Sequence, residues 1–293
     1  MHNPQHARLM RLATRAALTV ALTLVLAKAI AWWLSGSVSL LAGLTDSLLD
    51  SAASLINLIA VHFALRPADE DHRYGHGKAE ALAGLAQALF IGISAILIGL
   101  QGIERLQAPQ PLEAEGLGIA VMLLSLALTV ALLMFQHKVV RETGSTAIHA
   151  DSLHYRSDIL LNSSILLALL LTRFGWLQMD AIFAIGIAFY IFWSAISIVR
   201  GAIGVLMDEE LPSETTRHMY ELANAVPGVL GSHDLRTRIS GTRWFVQLHL
   251  ELPGEMSLSD AHAHCEAVEK AIHGHYPRAE VLVHADPSEV VQH

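Results

Sequence analysis

Two pairs of metal-ligating side chains recur at the same spacing in the sequence. Asp46 and Asp50 are four residues apart, and His154 and Asp158 repeat that interval. Residues four apart in an α-helix lie one turn from each other on the same face. Three carboxylates and one imidazole form a ligand set that suits a tetrahedral Zn²⁺ site. The two pairs therefore predict a metal site between two helices.

Both pairs lie in largely apolar stretches, where an uncompensated charge is unfavourable. Inserting a carboxylate at the centre of a membrane helix costs roughly 2.5–3.5 kcal/mol, and three would cost about 8–10 kcal/mol. A bound dication would compensate this cost. The alternative is that each aspartate pairs with a basic residue, for which Lys28 and Arg156 are available.

The composition indicates that the elements carrying these residues lie in a membrane. The chain has 293 residues, of which 53% are hydrophobic and only 16% are charged. A soluble domain usually has about 25% charged residues. The formal net charge of −8 argues against nucleic acid as a partner. The single cysteine, Cys265, excludes an internal disulfide and a multi-thiolate zinc site.

Six stretches are apolar enough to cross a bilayer or nearly so, since a span needs roughly 20 apolar residues. They are about 12–34, 38–65, 79–106, 116–136, 147–172 and 179–206. The second and fifth spans run in opposite directions. At 1.5 Å per residue, Asp50 and Asp158 then lie roughly 18 Å and 17 Å from the starts of their helices. Both pairs are therefore expected near the membrane midplane.

Basic residues are concentrated on one side of these six spans. They precede the first span and lie between spans two and three and between spans four and five: Arg8, Arg11, Arg15, Arg66, Arg73, Lys78, Lys138 and Arg141. Loops rich in lysine and arginine stay on the cytoplasmic side. Both termini are therefore expected to be cytoplasmic.

The sequence changes character after Leu206, where no further apolar run is long enough to span. The pattern predicts a helix after Pro212, two strands, a helix and a last strand, at His233–Ser240, Arg243–Leu252, Ser259–His273 and Ala279–His284. The predicted fold is an α-helical membrane protein. It has a six-helix transmembrane transport domain at 1–207 and a small cytoplasmic αββαβ domain at 208–293.

Three segments resemble the cation diffusion facilitator family: SLLAGLTDSLLDSAASLINL, DHRYGHGKAEALAGL and HADSLHYRSDILLNSS. The resemblance covers nearly the whole chain and is to the bacterial ferrous-iron and zinc efflux branch. It implies that Asp46, Asp50, His154 and Asp158 bind the transported ion. A histidine in place of a fourth aspartate is similar to the zinc and cadmium type of site.

The resemblance also implies how the protein works and where it is located. It implies efflux of a divalent transition metal, Zn²⁺ first and also Cd²⁺ or Fe²⁺, in exchange for protons. Zn²⁺ would be both the transported and the regulatory ion, with no organic cofactor. The protein would be a homodimer in lipid, in the inner membrane of a bacterium.

A polar loop connects the second and third spans. Its spacing alone is weak evidence for a site, because a loop with two histidines is usually just solvated. The resemblance implies that Asp69, His72 and His76 bind a second metal there. It further implies an ion pair between Lys78 and Asp208 at the hinge with the tail, although two unrelated charges flanking their helices would look the same.

The tail contains several histidines that the resemblance places in a two-metal site. The implied ligands are His233, His249, His262, His284 and a bridging aspartate, Asp286. The alternative is that these are exposed histidines on a small acidic domain. With the site in place, the domain is expected to sense metal and to dimerise.

Three other functions are compatible with buried histidines and aspartates. A channel or importer for the same ions is disfavoured, because ions must leave quickly to conduct and a tight tetrahedral site holds them. An intramembrane metalloenzyme would use them for hydrolysis, but the sequence has no H-E-x-x-H motif and no evident nucleophile triad. We therefore expect no enzymatic activity. A membrane-bound metal sensor without transport remains the alternative, since only a flux measurement separates it from a pump.

Overall fold

The computed structural model describes residues 4–36, 38–107, 116–172 and 178–291. Six long helices come first: α1 Pro4–Ser35, α2 Val38–Ala64, α3 Ala79–Gln107, α4 Gly116–Thr143, α5 Thr146–Thr172 and α6 Met179–Leu206. Five of them, all except α5, are long and apolar enough to cross a membrane. The prediction of a six-helix membrane domain is confirmed, with α5 as the polar member of the set.

α5 has the length of a span but a mixed composition. Its 27 residues would extend about 40 Å, more than the roughly 30 Å of a bilayer core. Asp151, His154, Arg156 and Asp158 interrupt its first half. Polar residues within a membrane domain usually face the bundle interior and mark a functional path.

Two helices extend beyond the apolar stretches of the sequence. α1 begins at Pro4 rather than near residue 12, and α4 continues to Thr143 rather than ending near 136. Helices end where the backbone changes conformation, and hydropathy does not report that position. Gly144 has φ +67°, and its N–H donates to the Val140 carbonyl over 2.8 Å. A glycine in the left-handed region is a common end of a helix.

Buried side chains fix α5 against its neighbours. Met10, Val61, Val139 and Ile148 form a cluster that joins α1, α2, α4 and α5. The Tyr155 hydroxyl lies 2.8 Å from Ser54 Oγ and donates to the Ala17 carbonyl over 3.3 Å. Tyr155 therefore ties α5 to α2 and α1 beside the residues that carry the predicted chemistry.

The link between α4 and α5 is short and buried. Only Gly144 and Ser145 lie between the two helices, and Ser145 is fully buried. The Ser145 hydroxyl donates to the carboxylate of Glu80 in the first turn of α3. It also accepts from the Ile148 N–H, as a helix-capping residue does. The start of α5 is therefore anchored to α3.

The contacts divide the chain into two compact units, Met1–Ile203 and Gly204–His293. The second contains α7 Ser213–Asn224, β1 Gly231–Ser240, β2 Arg243–Leu252, α8 Leu258–His275 and β3 Ala279–Pro287. β2 is the central strand, antiparallel to β1 and parallel to β3. The predicted αββαβ order is confirmed.

The core of this second unit lies between the sheet and its two helices. It contains Met219 from α7, Val246, Leu248 and Leu250 from β2, and Ile272 from α8, among others. All five side chains are at most 1% exposed. Strand β1 has a register shift between His233 and Arg236, where Asp234 has φ +48°. Such a bulge re-aims side chains along a strand.

Candidate metal centres

Helices α2 and α5 bring the predicted pairs together. We call Asp46, Asp50, His154 and Asp158 the intramembrane cluster. His154 Nε2 lies 3.0 Å from Asp50 Oδ1 and 3.8 Å from Asp158 Oδ2. Two ligands that each bind a tetrahedral ion at about 2.0 Å lie about 3.3 Å apart. The separations therefore suit one shared ion.

The fourth residue, Asp46, lies one turn away on α2 and lines the same cavity. It is not part of the tight group in which one atom each of Asp50, His154 and Asp158 lies within 4.8 Å of the others. The cavity is also lined by Ser94 of α3, which the sequence analysis did not single out. A serine inside an apolar span is the sequence feature that could have identified this position.

His154 is enclosed but has no hydrogen bond at its outer ring nitrogen. Its side chain is 10% exposed, against 21% for Asp50 and 25% for Asp158. Nε2 is buried and makes no hydrogen bond, although a carboxylate oxygen lies 3.0 Å away. Lone pairs arranged in this way can point together at a cation.

The two cations that could have paired with the aspartates make other contacts. Lys28 Nζ donates to Ser47 Oγ over 2.6 Å and to the Gly43 carbonyl over 3.1 Å. Arg156 is exposed and lies over the Tyr190 ring, 5.8 Å from its centroid. Lys28 still interacts electrostatically with Asp46 and Asp158, so its charge offsets part of the negative charge of the cluster, whereas Arg156 is directed elsewhere.

The loop after α2 brings its three predicted residues together, and we call Asp69, His72 and His76 the loop cluster. His72 Nδ1 lies 3.2 Å from Asp69 Oδ1, and His76 Nε2 lies 3.3 Å from Asp69 Oδ2. The His72 backbone N–H donates to Asp69 Oδ1. This bond, with help from the His72 ring, lowers the pKa of the Asp69 carboxyl below its usual value. A charged Asp69 favours cation binding.

The tail sheet places three histidines side by side. His233 is opposite His249, and His249 is opposite His284, on the three neighbouring strands. Asp286 contacts all three: Oδ2 lies 2.7 Å from His249 Nδ1 and 3.5 Å from His233 Nε2, and Oδ1 lies 3.2 Å from His284 Nε2. We call His233, His249, His284 and Asp286 the tail cluster.

The carboxyl of Asp286 is arranged as a bridge, with one oxygen toward two histidines and the other toward the third. The hydrogen bond from His249 lowers the pKa of Asp286 below its usual value. The carboxylate is therefore charged at neutral pH. Two oxygens that face separate ring nitrogens can bind two ions.

Two supporting carboxylates in the tail were missed by the sequence analysis. Glu251 Oε1 lies 3.0 Å from His233 Nδ1, and Asp234 Oδ2 lies 3.8 Å from His249 Nε2. Arg236 in turn donates two hydrogen bonds to Asp234. Carboxylates in this position orient metal-binding imidazoles. Only the strand register reveals these partners.

Two predicted features do not join these clusters. His262, on α8, is 72% exposed at its side chain and lies 3.5 Å from Glu266. The tight group of His233, His249 and Asp286 includes neither His262 nor His284. His284 still contacts Asp286, whereas the role of His262 as a ligand stays a prediction. The Lys78–Asp208 ion pair also stays a prediction, because the residues belong to different compact units. Within the tail, Asp208 lies 3.6 Å from Arg238.

Six membrane helices around a histidine–aspartate cluster, followed by a small α+β domain, define a polytopic metal transporter. Residues 14–207 match the family model of the cation efflux transmembrane domain. Residues 211–288 match that of the cation efflux protein cytoplasmic domain. The chain therefore belongs to the cation efflux family, the cation diffusion facilitators, whose members are transporters and not enzymes.

Individual relatives cover nearly the full chain. The chain is 48% identical over 289 residues to the cation-efflux pump FieF of Klebsiella pneumoniae, with 99% of this chain and 96% of the relative aligned. Identity and coverage are the same for the cation-efflux pump FieF of Yersinia enterocolitica. The solved structure titled MamM-CTD 215-293 is 32% identical and covers 25% of this chain and 95% of its own, with a TM-score of 0.25.

Proposed function

We propose that the protein exports divalent transition metal ions, Zn²⁺ first, from the cytoplasm in exchange for protons. The carrying observation is the approach of Asp50, His154 and Asp158 across two membrane helices. Ionisable groups of this type cost free energy in a bilayer, so they are rare there and mark functional sites. Its histidine and carboxylates form a set of nitrogen and oxygen ligands that suits Zn²⁺. The same set also accepts Cd²⁺ or Fe²⁺.

Proton exchange follows from the chemistry of these ligands. A metal ion binds only deprotonated imidazole and carboxylates, so metal and protons compete for one site. On the cytoplasmic side the metal displaces protons, and on the other side entering protons displace the metal. Rigid rocking of helices around a fixed site is the expected motion.

The loop and tail clusters support a regulatory role in the same proposal. Both combine histidines with an aspartate whose pKa is lowered, and both lie outside the membrane helices. Metal bound at these clusters when the cytoplasmic concentration is high would bias the transport equilibrium. We place both termini in the cytoplasm, with residues 208–293 forming the contact of a homodimer.

Zinc flux in proteoliposomes under an imposed pH gradient tests this function. We expect flux to follow the gradient in the wild type and to vanish in Asp158→Asn, which keeps the shape of the side chain but removes its charge. Arg156→Gln is the matched control, because it lies on the same helix and contacts the Tyr190 ring instead of the cluster. It should transport like the wild type.

Each other result would change the proposal in a defined way. Zinc that binds to the wild type without any flux would identify a membrane-bound metal sensor instead of a pump. Equal flux in the wild type and Asp158→Asn would place the ion path elsewhere. Flux that ignores the pH gradient would remove protons from the exchange.

A further inference from the structure

One positive charge lies inside the apolar part of helix α1. Lys28 is the only charged residue of the stretch 16–45, and it precedes the end of α1 at Ser35 by about 10 Å along the helix axis. Lysines near the end of a span usually extend their ammonium group to the membrane surface. Lys28 Nζ instead donates to Ser47 Oγ over 2.6 Å and to the Gly43 carbonyl over 3.1 Å on α2. Because Ser47 is buried, the ammonium group is held inside the membrane domain.

These two hydrogen bonds place the ammonium group beside the aspartates of α2. Gly43 lies three residues before Asp46, and residues three or four apart share one face of a helix. Ser47 lies three residues before Asp50 in the same way. The ammonium charge acts on Asp46 and also on Asp158 of α5. Both of its hydrogen-bond partners are neutral, so the charge remains available to these carboxylates.

A positive charge at this position completes the charge balance of a loaded site. The intramembrane cluster contains three carboxylates and one histidine, and the histidine is neutral when it binds a metal ion. A divalent ion offsets two of the three negative charges, and the Lys28 ammonium offsets the third. The loaded site then has no net charge, which suits a bilayer because a net charge is unfavourable there.

We propose that Lys28 is a fixed counter-charge of the intramembrane cluster and limits the affinity of the cluster for a divalent ion. The ammonium group is not a ligand, since it has hydrogen donors and no acceptor. It repels a bound cation instead, and this repulsion favours release of the ion. The limit on affinity requires only that zinc binds at the cluster, whereas the use in release rests on the proposed transport.

A purely structural role for Lys28 predicts the opposite change in zinc affinity. Its two hydrogen bonds also tie α1 to α2, and loss of a tie would loosen the cluster and weaken zinc binding. Loss of a repelling charge would strengthen zinc binding. The substitution Lys28→Met separates the two roles, because methionine keeps an unbranched, flexible side chain and removes the charge.

Calorimetric titration of the full-length protein in lipid nanodiscs with Zn²⁺ measures this affinity. The relevant class of bound zinc is the one that is missing in His154→Ala. In Lys28→Met we expect this class to bind at least about 10-fold more tightly, because a unit charge acts strongly on a dication when water screens the pair only in part. Arg156→Gln is the matched control, since it removes a positive charge that lies over the Tyr190 ring instead. Its zinc affinity should equal that of the wild type.

Two further variants separate the charge of Lys28 from its hydrogen bonds. Lys28→Arg keeps the charge, so its zinc affinity should stay close to that of the wild type. Ser47→Ala removes one hydrogen bond and leaves the charge, so its zinc affinity should not rise. Zinc flux gives a second measurement. In Lys28→Met the half-saturating zinc concentration and the maximal flux should both fall, because the ion is bound more tightly and leaves more slowly.

Other results would overturn the counter-charge. Zinc affinity in Lys28→Met that equals or falls below that of the wild type would show that the ammonium group does not limit binding. A rise in Ser47→Ala as large as that in Lys28→Met would assign the effect to a lost tie between α1 and α2. Zinc bound by the wild type without any flux would remove the proposed transport, whereas the affinity of Lys28→Met would still decide the counter-charge.

Discussion

The intramembrane cluster and the tail cluster use the same residue types but hold them differently. In the membrane, His154 Nε2 makes no hydrogen bond, and the ligands project from two helices into a partly open cavity. In the tail, His233 and His249 are fixed by carboxylates and by the register of a sheet. The difference suggests that the first cluster is built to bind and release an ion and the second to retain one.

Removing the imidazole of one histidine in each cluster should have the largest effect and tests whether the two clusters have different roles. We expect His154→Ala to abolish zinc flux and one class of bound zinc, and His249→Ala to remove a different class while flux remains. Loss of a ligand should lower the zinc affinity by more than the about 10–100-fold that follows loss of a supporting group. Calorimetric titration with Zn²⁺ beside flux would check both, and loss of flux in both variants would contradict the separation.

Glu251→Gln should weaken zinc binding at the tail cluster and leave the intramembrane cluster unchanged. The amide cannot stabilise the orientation of His233 as the carboxylate does at 3.0 Å, so zinc affinity there should fall by about 10–100-fold. Zinc titration monitored by fluorescence would measure it. Glu269→Gln, a change on the neighbouring helix α8, is the control, and an unaltered tail affinity in Glu251→Gln would show that His233 needs no such support.

Tyr155→Phe should have a moderate effect on the membrane domain. It removes the hydroxyl contact with Ser54 and the Ala17 carbonyl, at a cost of about 0.5–1.5 kcal/mol in the free energy of unfolding. Thermal unfolding in detergent would detect the loss. Tyr190→Phe on an exposed face should leave stability unchanged, and equal melting temperatures in the two variants would mean that the buried hydroxyl is not a tie between helices.

The smallest effect concerns the pH dependence of tail stability. Because the pKa of Asp286 is lowered in the fold from 3.8, its stabilising contribution is present above that value and is lost as the pH falls through the folded pKa. In metal-free protein, Asp286→Asn should be less stable than wild type at neutral pH, with the difference shrinking below about pH 4.

The stability of residues 204–293 can be measured in the full chain by fluorine labelling of Trp244, which is the one tryptophan in that range. Unfolding by urea would be compared in wild type and Asp286→Asn across the acid range. A difference that stays constant with pH would mean that the His249 contact does not depend on the charge of Asp286.

The sequence predicted the parts of the structure that depend on local spacing. The four-residue intervals in α2 and α5 place their side chains on one face whatever the rest of the chain does. The order of helices and strands in the tail follows from periodicity in the same way. Helices α1 and α4 extend beyond their apolar stretches, because a glycine conformation and a polar first turn are not visible in hydropathy.

Features that depend on tertiary contacts could not be predicted from the sequence. The pairing of His233 with Glu251 requires the register of β1 on β2, including the shift after His233. The hydrogen bond from Gln136 to Asp151 appears only when α4 and α5 are assembled. Glu251 and Gln136 looked unremarkable in sequence, because a single polar residue in a strand or helix has many possible partners.

The two-residue link at Gly144 and Ser145 holds the start of α5 close to the end of α4, so that α5 can tilt only about this link. His154 is ten residues beyond Gly144, a distance of about 15 Å along the helix axis. A tilt of about 10° about that pivot would displace the imidazole by about 2.6 Å, which is more than a zinc–nitrogen bond of about 2.0–2.1 Å. Such a tilt would take the coordination sphere apart, and it would also have to release the Tyr155 hydroxyl from Ser54 and the Ala17 carbonyl.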